Sequence, residues 1–161
     1  MITFRKATMK DVEDLHFLIN EFADKEMMLP RSRNTLYEAL REFTIIVDNI
    51  KDGIADIEKF VGTGALHIIW DNLAEIRALA ILPEYQHQGL GQQLITVLSN
   101  EALALDIHQV FALTYQVDFF IKCGFRVISK EELPHKVWKE CINCPKFPNC
   151  DEVAVIKDLE L

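Results

Sequence analysis

The residues Gln86-His87-Gln88-Gly89-Leu90-Gly91 set two glycines between an apolar, alternating run that ends near Pro83 and a segment of helical periodicity that begins at Leu90. Strand, glycine turn and helix start, in that order, make a backbone anion site. The first helical N–H groups have no partner inside the helix, and the helix dipole favours negative charge beside them. No Ser, Thr, Asp or Asn stands at the helix start to cap it, so an external anion can take those amides, and a pyrophosphate fits. The turn is not a P-loop, because no Gly-Lys-Ser/Thr follows, and it lacks one of the three glycines of a dinucleotide fingerprint. A tight strand-to-helix turn without a ligand is the other reading of the same residues.

Two further sets of side chains have the types that do chemistry. In Leu73 to Ile81 the two-residue repeat of a strand puts Glu75, Arg77, Leu79 and Ile81 on one face and Ile76, Ala78 and Ala80 on the other. Glu75 there is either a proton acceptor or a surface carboxylate paired with Arg77 or a neighbouring lysine. The second set is Cys141-x-x-Cys144 followed by Cys150. Cys-x-x-Cys is zinc spacing, but a closed structural site takes four ligands, and His135, Cys123 or Asp151 would have to supply the fourth. Reduced thiols without metal come first in order, zinc second and a reducible disulfide third.

The elements that must carry these residues can be read in chain order. Thr3 to Lys6 is a short strand. Thr8 and Asp11 form a capping box, and Val12, Leu15, Ile19 and Phe22 follow at helical spacing to about Asp24. Pro30 interrupts, and Ser32 caps a second helix with Leu36, Leu40 and Phe43 on one stripe. The β-branched run Phe43 to Val47 is a strand, Asp48 to Glu58 a loop or ragged hairpin end, and Phe60 to Trp70 a strand softened, or bulged, at Gly62 and Gly64. Asp71-Asn72 turns the chain into Leu73 to Ile81. Leu90, Leu94, Val97, Leu98, Ala102 and Leu105 share one face of a long helix. Val110 to Thr114 is a buried strand, Asp118 to Cys123 a short helix closed by Gly124, Phe125 to Ser129 a strand, 130–150 an excursion, and Val153 to Ile156 a closing strand. Strands alternating with helices imply an α/β (α+β) domain over 1–161, a mixed central sheet with helices on both faces.

Composition limits the partners. With 161 residues, half of them apolar, the chain can bury a full core as one domain. A net charge of −8 argues against sequence-independent nucleic-acid binding. No apolar run approaches the roughly 18 residues of a membrane span, and Met1-Ile2-Thr3-Phe4 enters strand-like sequence without a cationic, apolar leader. The expected location is cytoplasmic, with the four cysteines reduced or metal-bound.

The pattern Gln86-x-x-Gly89-x-Gly91 after a strand resembles the acetyl-CoA-binding motif of the GNAT superfamily of acyl-CoA N-acyltransferases. Phe119-Phe120-Ile121-Lys122-Cys123-Gly124-Phe125 is similar to that family's Phe-Tyr-x-Lys-x-Gly-Phe segment. The resemblance implies a GNAT-type mixed sheet of six to seven strands flanked by about four helices. It implies acetyl-CoA on the amides of Gln88, Gly89, Leu90, Gly91 and Gln92, with Gln86, the strand residues Leu79, Ala80 and Ile81, and Phe119 and Phe120 alongside. It further implies Glu75 as a base acting through water, since four strand residues span roughly 13 Å. The Leu79 N–H would polarise the thioester. The family's usual acid is a tyrosine where this chain has Phe120, so Tyr115 is the substitute and Cys123 a weaker one, or the thiolate leaves unassisted. Arg31, Ser32, Arg77 and Lys136 suggest an anionic acceptor, because an arginine fork matches a carboxylate. The stretches MLPRS, LAEIRALAI, FALTYQVDFF and LPHKVW with the cysteines resemble the short stand-alone N-acetylglutamate synthase group. That implies acetyl transfer to the α-amine of L-glutamate in arginine biosynthesis. A GNAT enzyme for another small amine or a peptide N-terminus, and an acyl-CoA sensor without catalysis, are the other readings. Such folds often pair, so a homodimer is compatible.

Overall fold

The computed structural model describes residues 1–134, 137 and 152–160. The strands are β1 (Ile2–Lys6), β2 (Phe43–Asp52), β3 (Ala55–Trp70), β4 (Leu73–Ile81), β5 (Gln109–Thr114), β6 (Arg126–Ile128) and β7 (Val153–Asp158). Four α-helices accompany them among the described residues: α1 (Val12–Asp24), α2 (Arg33–Glu38), α3 (Leu90–Ala104) and α4 (Val117–Lys122). The strands join in one seven-stranded sheet of order β1-β2-β3-β4-β5-β7-β6. It is mixed: β4 and β5 are parallel, while β1–β2, β2–β3, β5–β7 and β6–β7 are antiparallel. This is the architecture the sequence implied. Backbone contacts group the chain into two compact units, residues 1–66 with 78–98, and 67–77 with 99–161.

In the first unit the capping box forms as read. Thr8 N–H donates to Asp11 Oδ2 at 2.7 Å, and a 3-10 turn, Met9–Asp11, leads into α1. Asp11 carries more than a cap. It is 5 % exposed and accepts from Arg5 Nη1 and Nη2 at 2.8 and 2.9 Å, so the helix start is tied to β1 by a bidentate pair. Arg5 Nε also reaches Glu58 at 3.0 Å. The core joins Val12, Leu15 and Ile19 of α1 to Leu36, to Phe43, Ile45 and Val47 of β2, and to Ala65 of β3.

One expectation in this unit is corrected, and another resolves to one of its two alternatives. Helix α2 ends at Glu38, because Leu40 belongs to a following 3-10 turn and Phe43 opens β2. Pairing of the β-branched run with β1 and β3 overrides the helical spacing of Leu36, Leu40 and Phe43. Asp48 to Glu58, expected as a loop or a ragged hairpin end, is the second of these, the outer part of a β2–β3 hairpin. Gly53, at φ +66°, supplies the left-handed turn between Asp52 and Ala55, and Ile50 faces Ile57 across the ladder. The expected bulge is present: Ile46 pairs with Gly62 and Val47 with Phe60, leaving Val61 extra.

The second unit has its own core of Ile69, Leu73, Phe111, Ile128, Leu133, Val137, Ala154 and Ile156. Leu105, expected on the buried face of α3, lies past the helix end and is exposed. Asp106 at φ +61° donates from its N–H to Leu103 O, and Ile107 N–H donates to Ala102 O, which is a Schellman closure that buries Ile107 instead. Gly124, at φ +91°, closes α4 in the same way, as its place in the sequence indicated. No helix among the described residues is long and apolar enough to cross a membrane.

The Asp11 carboxyl is pushed up by burial, but the hydrogen bonds from Arg5 and from the Thr8 N–H outweigh that and hold it below the ordinary range. A depressed folded-state value means that this stabilisation is complete above the unfolded-state value, near 3.9, and is lost as pH falls through the folded one. Asp11→Asn should therefore lower unfolding free energy at pH 7 by about 3 kcal/mol and flatten its acid dependence, as read by urea unfolding between pH 7 and 3.

Candidate active site

The glycine turn leaves β4 through a short, well-bonded connection. Leu82 N–H donates to Val61 O at 2.9 Å, a 3-10 turn spans Pro83–Tyr85, and Gln86 N–H donates to Pro83 O at 3.2 Å. The Gln86 side chain then reaches back, its Nε2 donating to Ile81 O at 2.8 Å, and Gln88 Nε2 donates to Glu84 O at 3.3 Å. Both side chains bond the turn to its own stem. His87 (φ +63°) and Gly89 (φ +82°) are left-handed, and a side chain built on Gly89 would meet no atom within 4 Å. The glycine is needed for its φ, and the space above it is open.

Helix α3 begins at Leu90, and its first internal bond runs from Gln93 N–H to Gly89 O at 3.1 Å. The amides of Leu90, Gly91 and Gln92 thus precede the helical ladder and meet no capping side chain from Gly89. Adjacent left-handed and helical residues, with a positive helix end, form a concavity of N–H groups suited to phosphate oxygens.

Strand β4 carries a break that its sequence did not announce. Ala78 has φ +57°, a conformation that alanine rarely adopts, and it interrupts the two-residue alternation. Ala78 packs against the α1–α2–β2 core, whereas the next side chain, Leu79, lies beside Gly64 with Leu94 and Leu98 of α3. Glu75 and Arg77 precede this left-handed residue, and Leu79 and Ile81 follow it. β4 and α3 also sit tightly on β3: a Cβ on Gly62 would lie 2.7 Å from Ala80 O of β4, and one on Gly64 only 2.9 Å from a methyl of Leu94 in α3. Both glycines are thinned for this close approach, which their sequence spacing had suggested only as a soft strand.

In the second unit Glu75 and Arg77 are brought together, Oε1 to Nη1 at 3.7 Å, and their side chains are only 12 % and 14 % exposed. Glu75 is thus shielded and beside a cation, and the pairing with Arg77 offered by the sequence is present. Tyr115 follows β5 and is partly exposed; Thr114 Oγ1 accepts from Gln116 N–H at 2.8 Å and turns the chain into α4. Phe120 is buried edge-on against Phe119 and Phe125, with ring centroids 5.2 and 5.1 Å away. Burial pushes the neighbouring Cys123 thiol up, against a smaller opposing effect of Lys157. A buried thiol with a raised value is a poorer anion but keeps its proton.

Of the acceptor residues, Ser32 caps α2, its Oγ accepting from Thr35 N–H at 3.2 Å. The Arg31 guanidinium lies 5.9 Å from the Phe43 ring centre, and the Arg31 backbone is held on both sides by Asn20 (Arg31 N–H to Oδ1 3.1 Å, Nδ2 to Arg31 O 2.9 Å). Lys136, His135, Trp138, Cys141, Cys144, Cys150 and Asp151 lie outside the described residues. Among the described residues no group of three or more His, Cys, Asp or Glu could hold a metal. Sequence reasoning missed Ala78, since alanine carries no mark of a left-handed site, and Tyr85, whose hydroxyl donates to Asp48 Oδ2 at 2.8 Å, 37 positions away.

A strand, a glycine turn and an uncapped helix start, in that order, are the arrangement that the resemblance to acyl-CoA N-acyltransferases leads one to expect. The profile of the Acetyltransferase (GNAT) family matches residues 10–125, and the chain belongs to that family. An uncharacterized N-acetyltransferase of Chlorobaculum tepidum is 34% identical over 160 residues, covering 96% of this chain and 95% of its own. The amino-acid acetyltransferase of Mycobacterium tuberculosis is 34% identical over 136 residues, 84% of this chain and 75% of its own. N-acetylglutamate synthase from Neisseria gonorrhoeae, solved with coenzyme A and N-acetyl-glutamate, superposes with a TM-score of 0.86 at 25% identity. The match takes in all of this chain and 36% of that one.

The close approach at Gly62 gives a test. Gly62→Ala would press a methyl on the Ala80 carbonyl, backbone that can move only by displacing the end of β4. It should cost about 1–3 kcal/mol in unfolding free energy by urea titration, despite the minimal change in side chain.

Proposed function

We propose that this protein transfers acetyl from acetyl-CoA to the α-amine of an amino acid, with L-glutamate as the preferred acceptor. The observation that carries the reading is the turn from Gln86 to Gly91. Its left-handed His87 and Gly89, open space at Gly89 and unladdered amides fit a pyrophosphate, the group by which coenzyme A would be held. Leu90, Gly91 and Gln92 would bind it through N–H groups, with Gln88 and Gly89 shaping the approach and Gln86 fixing the turn to Ile81. Relatives named amino-acid acetyltransferase, and a structural neighbour solved with coenzyme A and N-acetyl-glutamate, support the substrate class.

When bound, the thioester supplies the acetyl group and a modestly basic leaving thiolate. The chain supplies the rest. An α-ammonium must lose a proton before it can attack, and the Glu75 carboxylate, through water, is the base. Arg77 beside it keeps that carboxylate from standing alone in a shielded position. The Leu79 N–H donates to the carbonyl oxygen as charge gathers there, just past the break at Ala78. Phe120, a buried phenyl, has no proton to give, so Tyr115 is assigned as donor to the leaving sulfur. Arg31, with Ser32 at the start of α2, and Lys136 are assigned to the acceptor carboxylates.

The decisive experiment follows release of free coenzyme A over a panel of amino acids, other small amines and peptide N-termini. Turnover with glutamate in preference to the others is expected. Turnover only with the others transfers the function to them, and none at all leaves an acyl-CoA sensor. Glu75→Gln should lower kcat/KM for the preferred acceptor by about a hundredfold or more and remove its rise with pH, with coenzyme A affinity unchanged. An unaltered pH–rate profile would take Glu75 out of the mechanism.

A further inference from the structure

The anion turn has an anchor outside itself. Tyr85 ends the 3-10 turn that precedes it, only four positions before Gly89, and its hydroxyl donates to Asp48 Oδ2 at 2.8 Å. Asp48 belongs to β2 and stands opposite Lys59 in the β2–β3 ladder. Lys59 completes the arrangement from β3, its Nζ 5.1 Å from the centre of the Tyr85 ring and 3.7 Å from the Glu84 carboxylate. The segment 84–85 is thus held by a hydrogen bond, a cation over an aromatic face and an ion pair, all reaching to strands that are not its own neighbours in sequence. The Gln86 amide fastens the same segment to the end of β4 at 2.8 Å.

The groups facing this pair are the Met1 amino group, 3.0 Å from Asp48 Oδ1, with Lys59 and Glu84. The Tyr85 hydrogen bond, then the amino group, hold the Asp48 carboxyl below its usual range, and Asp48 in turn raises the Tyr85 phenol. Donor and acceptor therefore keep their roles throughout the neutral range. None of these groups has a role in the acetyl transfer described above. What it sets is the direction in which the chain enters the left-handed His87 and Gly89, and with it the aim of the amides at the start of α3. An anion bound by backbone N–H groups gains from them only when they are aimed before it arrives.

We infer that Tyr85 and Asp48 are positioning residues for the coenzyme A pyrophosphate: a strut from β2 that presets the glycine turn and governs cofactor affinity without taking part in acetyl transfer. This rests on the reading of the turn as the coenzyme A site.

The test uses the full chain and coenzyme A itself, with binding measured by calorimetry beside steady-state kinetics and thermal unfolding. Tyr85→Phe removes the hydroxyl and leaves the ring under Lys59. It should weaken coenzyme A binding about tenfold, the scale of one lost hydrogen bond to a charged group, and raise KM for acetyl-CoA in step. kcat and the acceptor KM should stay within about twofold of wild type. Asp48→Ala should do the same, and the double variant should be no worse than either single one, because both remove one contact. Asp48→Asn, which keeps an acceptor oxygen, should recover most of the affinity, and Tyr37→Phe at an exposed tyrosine should change nothing. Wild-type protein that binds coenzyme A, with Tyr85→Phe binding as tightly, overturns the strut alone. So does a Tyr85→Phe variant in which both KM values rise alike as the melting temperature falls, since that is the mark of a general structural role. Wild-type protein that binds no coenzyme A overturns the reading of the turn, and the strut with it. If Asp48→Ala does not fold, Tyr85→Phe decides.

Discussion

A helix cannot begin without leaving amides over, and the start of α3 is where this protein leaves them facing outward. Gly89 has no side chain to cap them, and Gln86 and Gln88 spend their amides on Ile81 O and Glu84 O, within the stem of the turn. The neighbouring structure is arranged to hold this start in place. Val61 O receives the Leu82 N–H, Tyr85 is bound to Asp48, and Leu94 and Leu98 press the helix on Gly64. At an exposed helix end water can meet these amides, and an anion that displaces it gains from the helix dipole as well.

The second constraint is the break in β4. A regular strand would send Glu75, Arg77 and Leu79 to one side and present every N–H to a neighbouring strand. Left-handed Ala78 divides it into two stretches with different duties. Before the break, Glu75 and Arg77 form a shielded ion pair. After it, Leu79 turns to Gly64 and α3 while the backbone runs on to the turn. A left-handed alanine costs on the order of 1–2 kcal/mol, and strain of that kind is kept where the surrounding packing holds it, here the core of α1, α2 and β2 around Ala78.

The aromatic segment of α4 shows how a missing hydroxyl is accommodated. Phe120 lies edge-on between Phe119 and Phe125, an apolar setting in which a phenol would need a partner for its O–H. A phenyl ring at this position packs without needing a hydrogen-bond partner, and it has no proton to give. Tyr115, at the turn into α4, is the nearest phenol in the sequence. Arg31 is held in two ways, its backbone by Asn20 and its guanidinium 5.9 Å from the Phe43 ring centre.

By itself the sequence determined what depends on near neighbours. The Thr8–Asp11 capping box, Ser32 at the start of α2, Gly124 closing α4, the bulge beside Gly62 and the Asp71-Asn72 turn are contacts or conformations within a few residues, and side-chain type specifies them directly. The glycine turn and its helix were legible for the same reason, and with the α4 segment they were enough to point to the family. Tertiary structure decided the rest. The charged stretch from Asp48 to Glu58 became a hairpin because β2 and β3 pair far beyond the apolar residues that announced them. Helix α2 stopped short because Phe43 was claimed by the sheet. Ala78 turned left-handed with no residue type to signal it, and Tyr85 found Asp48 across 37 positions. Local preferences are worth tenths of a kcal/mol per residue and fix only what is near in the chain, whereas packing and long-range pairing are worth more and have no local code.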